Sequence, residues 1–383
     1  MALTLVARIA TLLSGYAVLI TGNGLLGTLV SLRLAPPAFS TAAAGVVQSA
    51  YYLGFMLGAL TAGKLIDLIG PPRAFSAFAV VVACASLGHA LFSAPLAWFF
   101  LRLVTGVCLA GIFSVVESQL NATARDQVRG RVFALYMMTT YLGVSSGQLL
   151  LNLASPAGYE LFILIAILFS ASLFPVLLTG IAGGPTLQSS PRSRFSMRAI
   201  VKAVRLTPLG MGGCVVAGLF NSAFYSLMPL FLNGINFSAG QISAVMFSAL
   251  LSALLFQWPI GALSDRFNRR RVLLFVCLAI GVISLVAVCN QQATGVTALI
   301  CLYAGMVFTV YALSVTLVNV AVPSELRLPG SAAVLLMFSL GGCAGPILAS
   351  LALTLMGPYG FFGFSLVIAW GFAALIWRVF RAN

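Results

Sequence analysis

Charge is what this chain has least of. Only 7% of its 383 residues are charged, Asp and Glu together number six, and His89 is the single histidine. Soluble domains are about a quarter charged, so a water-soluble globular body is excluded. His89 has no neighbouring ligand, and the seven cysteines (Cys84, Cys108, Cys214, Cys277, Cys289, Cys301, Cys343) contain no C-x-x-C pair. Small apolar packing is the reading of these thiols, and neither a metal nor a cofactor is expected. There is no G-x-x-x-x-G-K-[ST] and no loop large enough for a nucleotide-binding domain, so direct ATP driving is excluded within this chain. No nucleophile–base set is present, and an enzyme is not expected.

What remains is apolar: 61% of the residues are hydrophobic, and the mean hydropathy is +1.10. A bilayer core of about 30 Å needs roughly 20 apolar residues per helix, and continuous runs favour helices over the alternating strands of a barrel. Spans are expected at roughly 9–33, 42–66, 75–94, 97–121, 131–154 and 159–181. A second set follows at roughly 209–234, 239–263, 271–289, 295–319, 330–355 and 359–379. The expected fold is all-α and polytopic, with twelve transmembrane helices as two pseudo-symmetric six-helix bundles. Its parts are an N-terminal bundle at 1–181, a cytoplasmic linker at 182–208 and a C-terminal bundle at 209–383.

Twenty cations set the orientation, and all but Arg33 and Arg102 fall on one side of this arrangement. Both termini and the linker are therefore expected in the cytoplasm, in a cell inner (plasma) membrane protein. This bias explains the net charge of +14, and nucleic acid is not expected as a partner. The apolar stretch near the N-terminus is too long for a signal-peptide core and reads as an uncleaved first span. Within the linker, Met197–Leu206 reads as a short amphipathic helix on the inner leaflet.

The chain also repeats itself. Gly63-Lys64-Leu65-Ile66-Asp67 returns as Gly261-Ala262-Leu263-Ser264-Asp265, and Gly143-Val144-Ser145-Ser146-Gly147 as Gly341-Gly342-Cys343-Ala344-Gly345, both shifted by 198 positions. A parallel repeat of this length in a membrane protein points to a transporter built from two halves.

Near the end of the second span, Gly63, Asp67, Gly70 and Arg73 resemble the loop motif G-x-x-x-D-R-x-G-R-[RK] of the major facilitator superfamily, with Leu68 in place of the first arginine. The second copy keeps Asp265, Arg266 and Arg269, and Arg102-Leu103-Val104-Thr105-Gly106 is similar to that family's R-x-x-x-G. Val116-Glu117-Ser118, Arg129-Gly130-Arg131, Tyr136-Met137-Met138, Gly147-Gln148-Leu149, Met228-Pro229-Leu230 and Gln257-Trp258-Pro259-Ile260-Gly261 look like its bacterial YcaD-like branch. The resemblance covers essentially the whole chain. It implies that Asp67, Arg73, Asp265, Arg266 and Arg269 belong to a gate, with Asp67 gripping the eleventh helix near Pro329-Gly330 and Asp265 the fifth. Gln148 stands where the family's antiporters carry a proline.

Two ionisable side chains lie well inside a span, Arg102 and Glu117, both on the fourth. Fifteen residues of helix leave them about 60° apart around the axis and roughly 22 Å apart along it, so they do not pair with each other. Glu117 is the candidate proton carrier, or else a structural acid paired with Arg125 or Arg129. Arg102 is a candidate anchor for an anionic substrate, a tuner of a proton path, or a structural arginine. Asn23, Gln48, Tyr52, Tyr136, Tyr141, Asn221, Tyr225 and Tyr311 supply candidate substrate contacts, because unsatisfied polar groups are expensive in hydrocarbon. Pro229 is expected to kink or open the seventh span. The function expected is secondary active transport of a small organic solute by alternating access, proton-coupled and outward, by a monomer. The alternatives are proton-coupled uptake or facilitated diffusion of a metabolite, a lipid flippase, and a non-transporting scaffold or sensor.

Overall fold

In hydrocarbon every backbone N–H and C=O needs an internal partner, and the apolar runs meet that demand as helices. The computed structural model describes residues 2–36, 39–123, 128–178, 197–289 and 295–382, and no strand occurs among them. Arg125, Arg192, Arg194 and most of the linker expected at 182–208 lie outside the described residues.

The first set of elements is α1 (Ala2–Arg33), α2 (Thr41–Ile69), α3 (Pro71–Leu91), α4 (Pro95–Thr123), α5 (Arg129–Leu149), α6 (Glu160–Ala171) and α7 (Leu173–Leu178). An amphipathic α8 (Met197–Leu206) precedes α9 (Pro208–Gly234), α10 (Ala239–Arg266), α11 (Arg269–Cys289), α12 (Val296–Ala321), α13 (Arg327–Met356) and α14 (Gly360–Ala382). Ten of these are long and apolar enough to cross a membrane. The fifth and sixth expected spans fall short for different reasons. Thr139, Thr140, Ser145, Ser146 and Gln148 dilute the apolar character of α5. The sixth span breaks at Ser172, three residues before Pro175, which has no N–H to give the Ala171 carbonyl.

Local chemistry sets the ends. Gly70 takes a φ of 82°, and the following Pro71 and Pro72 open α3, where their missing N–H groups cost nothing. Ser238 and Gln241 form a capping box at the start of α10, each side chain bonding the other's backbone N–H. Ser238→Ala is expected to cost about 1 kcal/mol, read as a lower melting temperature. The helix α9 runs unbroken through the buried Pro229, which leaves the Tyr225 carbonyl without its usual i+4 donor.

Two compact units result, one of Met1–Arg33 with Ala50–Pro191 and the other of Leu34–Ser49 with Arg192–Asn383. In the first, α1 packs on α5 and α6, and α3 on α4 and α6; in the second, α9 packs on α13 and α14, and α11 on α12 and α14. The repeat reaches atomic detail. Gly54 of α2 lies against the Leu103 carbonyl of α4, and 198 positions later the Ser252 hydroxyl of α10 donates to the Cys301 carbonyl of α12 at 2.8 Å. The first nine residues of α2 belong with the second unit: Gly45 lies against Pro346 and Ser350, and Ser49 donates to the Cys343 carbonyl at 2.7 Å.

Candidate functional site

In the first unit the candidate side chains gather into two groups on α4. Around Glu117, the Tyr136 hydroxyl of α5 donates to Oε1 at 3.1 Å. The Tyr136 ring packs at a tilt on Tyr16 of α1, the ring centres 5.1 Å apart. The Tyr16 hydroxyl also lies 2.9 Å from Thr140 Oγ1. Tyr16 is fully buried and Tyr136 is 3% exposed, yet Glu117 itself is exposed. The polar chain Glu117–Tyr136–Tyr16–Thr140 thus runs from an open end into the bundle. Arg125 lies outside the described residues, as does the side chain of Arg129. Among the described residues, the hydrogen-bond partner of Glu117 is Tyr136.

Around Arg102 the surroundings are aromatic. Its guanidinium carbon sits 4.6 Å from the centre of the Tyr51 ring, a cation–π arrangement, and Tyr51 stands edge-on to Tyr52 at 5.0 Å. Asn23 of α1 stands beside the Tyr51 hydroxyl. Arg102 is 5% exposed, and its Nε has no hydrogen-bond partner. The two groups are joined by ring contacts, Tyr51 to Phe55 at 6.3 Å, Phe55 to Phe113 at 5.8 Å and Phe113 to Tyr16 at 6.0 Å. The two embedded charges therefore sit at opposite ends of a continuous aromatic wall, as their spacing on one helix requires.

The second unit holds the remaining polar candidates. Gln48 is fully buried, its Nε2 donating weakly to the Ser226 carbonyl at 3.4 Å while its Oε1 has no partner. Asn221 Oδ1 is likewise buried without a partner. Tyr225 packs on Phe308 at 5.4 Å, and Tyr311 on Phe338 at 5.0 Å, all four on α9, α12 and α13. Asn23 and Asn221 are equivalent under the 198-residue shift, on α1 and α9. Tyr141 is half-buried on α5, five positions beyond Tyr136. Asp67, Arg73, Asp265 and Arg266 are exposed at helix ends, and Arg269 is half-exposed at the start of α11. They are not brought into either group on α4.

Sequence reasoning missed Tyr16, Thr140, Tyr51, Phe55 and Phe113. Helical spacing carries a signal for each. Tyr16 stands seven residues before Asn23, Phe113 four before Glu117, Thr140 four after Tyr136, and Phe55 four after Tyr51. His89 belongs to packing: its Nδ1 lies 2.7 Å from the Ala85 carbonyl, and its ring meets Trp98 and Phe162.

Comparison with known proteins agrees with this architecture. The profile of the Major Facilitator Superfamily matches residues 12–346 and 210–383. An MFS-type transporter YcaD of Shigella flexneri serotype 5b is 34% identical over 338 residues, covering 88% of this chain and 86% of that protein. Its counterpart in Escherichia fergusonii is 32% identical over 335 residues, with the same coverage. Among solved structures, the nucleoside transporter NupG aligns over 98% of both chains with a TM-score of 0.80 at 17% identity. A D-xylose-proton symporter aligns over 98% of this chain and 97% of its own, with a TM-score of 0.70 at 15% identity. Those two likenesses carry the fold alone; the family rests on the profile and on the YcaD identity. A duplicated set of six helices, two charges held in one spanning helix and relatedness along nearly the full length have one common reading: this chain belongs to the Major Facilitator Superfamily, a family of membrane transporters and not of enzymes.

Proposed function

We propose that the chain is a proton-coupled exporter of a small amphipathic or cationic organic solute, with Glu117 as the proton carrier. The observation that supports this reading is an exposed carboxyl on a spanning helix, held by one buried tyrosine hydroxyl. A carboxylate facing lipid would cost about 2.5 kcal/mol or more, so its exposure is to water. As a carboxylate, Glu117 accepts the Tyr136 hydrogen bond and is complementary to a cationic solute. Once protonated it is neutral, and that complementarity is gone. Proton and solute thus compete for one group, which is the requirement for exchange of one against the other. The aromatic wall of Tyr51, Phe55, Phe113 and Tyr16 supplies contact area for an apolar body.

At the helix ends Asp67 and Asp265 serve as breakable latches, since a carboxylate near free helix amides gains only about 0.3–2 kcal/mol. Both termini then lie in the cytoplasm and the protein works as a monomer in the inner membrane. Proteoliposomes carrying an internal pH dye and challenged with a solute panel test the reading. Solute addition is expected to move protons against it, and solute flux that ignores an imposed pH gradient would overturn the coupling.

Tyr136→Phe keeps the ring packing against Tyr16 and Phe133 but removes the donor to Glu117. A hydrogen bond to a charged group is worth about 1.5–3 kcal/mol, so proton-driven flux is expected to fall roughly tenfold or more, measured against unchanged expression.

A second reading, proton-driven uptake of a polar metabolite, draws on Gln48 Oε1 and Asn221 Oδ1. Two buried acceptors without partners suit a solute rich in hydroxyl or N–H donors, as sugars and nucleosides are. Inward accumulation under an outside-acid gradient would favour it over export.

A further inference from the structure

The amphipathic helix α8 has two faces with different partners. Ile200 and Ala203 are buried in a cluster with Met211 and Cys214 of α9, Val318 of α12, and Ala333 and Val334 of α13. This packing fixes α8 to its own unit, one residue before the α9 span begins at Pro208. The opposite face presents Arg198, Lys202 and Arg205, at spacings of four and three that place them on one stripe. All three are exposed, and among the described residues no carboxylate pairs with any of them. Two apolar side chains flank the stripe, Val201 at 43% exposure and Leu206 at 46%. Together the five residues line a shallow groove of about 460 Å³.

We propose that this groove is a binding site for the headgroup of an anionic phospholipid, with Arg198, Lys202 and Arg205 on its phosphate and Val201 and Leu206 against the first carbons of its acyl chains. Cations alone would suit any anion. The apolar flanks and the seat at the mouth of a membrane span select a ligand that carries charge and hydrocarbon in one molecule. Alternation of the spans puts α8 at the same end of its unit as Arg266, Arg269, Arg270, Arg271 and Arg381, so it sits at the membrane face that carries the cations. Basic residues close to an anionic leaflet each add to the attraction. A lipid held here lies on the face of α8 opposite the one packed on the core, and so ties the second unit to the leaflet.

The test is native mass spectrometry of the full-length protein, titrated in detergent with phosphatidylglycerol or phosphatidylcholine. The wild-type chain is expected to retain phosphatidylglycerol preferentially. The triple variant Arg198→Gln/Lys202→Gln/Arg205→Gln is expected to lose roughly tenfold or more in apparent affinity. A control pair elsewhere at the same end, Arg270→Gln/Arg271→Gln, is expected to bind as the wild type does. Equal loss in both variants would mean general surface charge, and no loss in the triple variant would mean a different site; either overturns the proposal. Millimolar inorganic phosphate serves as competitor, and full displacement of the lipid by phosphate would assign the groove to a soluble anion. Should the triple variant fail to fold, photo-crosslinking of azido-phosphatidylglycerol to the wild-type chain decides: label is expected at Val201 and Leu206, and label confined to other helices refutes the site.

Discussion

Glu117→Gln in proteoliposomes is expected to abolish solute-dependent proton movement and to lower gradient-driven transport roughly a hundredfold, while exchange of labelled for unlabelled solute survives. The amide is nearly isosteric with the acid and still offers an oxygen to the Tyr136 hydroxyl, which lies 3.1 Å from Oε1 in the native protein. What it loses is ionisation alone. A carrier that cannot titrate cannot couple the two gradients, but it still alternates with solute bound, because alternation needs only that the solute favour neither state strongly. The size of the effect follows from scarcity. Of six acidic residues, Asp67, Glu160 and Asp265 stand at helix ends, Glu325 lies before α13, and Asp126 lies outside the described residues. None of the described acids stands inside the bundle to take over. Glu117→Asp retains the proton but shortens the reach to Tyr136, so intermediate coupling is expected. Solute-dependent proton uptake unchanged in Glu117→Gln would remove Glu117 from the mechanism.

The helices were legible because hydrocarbon leaves so few choices. A run of about 20 apolar residues has one way to satisfy its backbone, so most spans stand within a few residues of their expected ends. The exceptions are instructive. Pro71 and Pro72 stand inside the loop-motif segment that ends at Arg73, and their fixed φ makes them the opening turn of α3. The sixth span contains enough apolar residues, but Pro175 withholds one ladder donor and the helix divides just before it, an event that hydropathy does not register. The grouping of Leu34–Ser49 with the second unit is equally silent in the sequence, since it depends on α2 touching α9 and α13 far along the chain.

The site was legible in its parts and not in its connections. Glu117, Tyr136, Arg102 and Asn23 stand out as polar groups in apolar spans. Which of them meet depends on rotation of α1 and α5 against α4, and the pairing of Tyr136 with Glu117 emerges only when those helices are packed. Tyr16 and Tyr51 escaped notice for the opposite reason. Tyrosine is unremarkable at a bundle interface, and only the partners they find, Thr140 and Arg102, separate them from ordinary aromatic filler.

The interlocked glycines of α9 and α13 set the second large expectation. A Cβ on Gly218 would press into the Phe338 carbonyl and, at 2.8 Å, the Gly342 nitrogen; one on Gly341 would meet the Val215 carbonyl and, at 2.9 Å, the Leu219 nitrogen. The two helices therefore touch backbone to backbone, as small residues permit in membranes, where association relies on packing. The first unit repeats the arrangement: a Cβ on Gly147 would collide with the Thr21 carbonyl, and one on Gly24 would stand 2.9 Å from Val144 Cα. Because the obstructing atoms are backbone, no side-chain rotation relieves the clash, and the helices must separate along their length. Overpacking of one methyl costs about 1–3 kcal/mol, so Gly341→Val is expected to exceed that range and to leave little folded protein in detergent. Gly341→Ala should melt several degrees low. The loop-motif glycines behave differently, since a Cβ on Gly63 or Gly261 meets nothing within 4 Å. Gly261→Ala is expected to melt with the wild type, by tryptophan fluorescence or by loss of the monodisperse peak on heating. If Gly341→Val and Gly261→Ala melt alike, close approach of α9 and α13 is not what holds the second unit together.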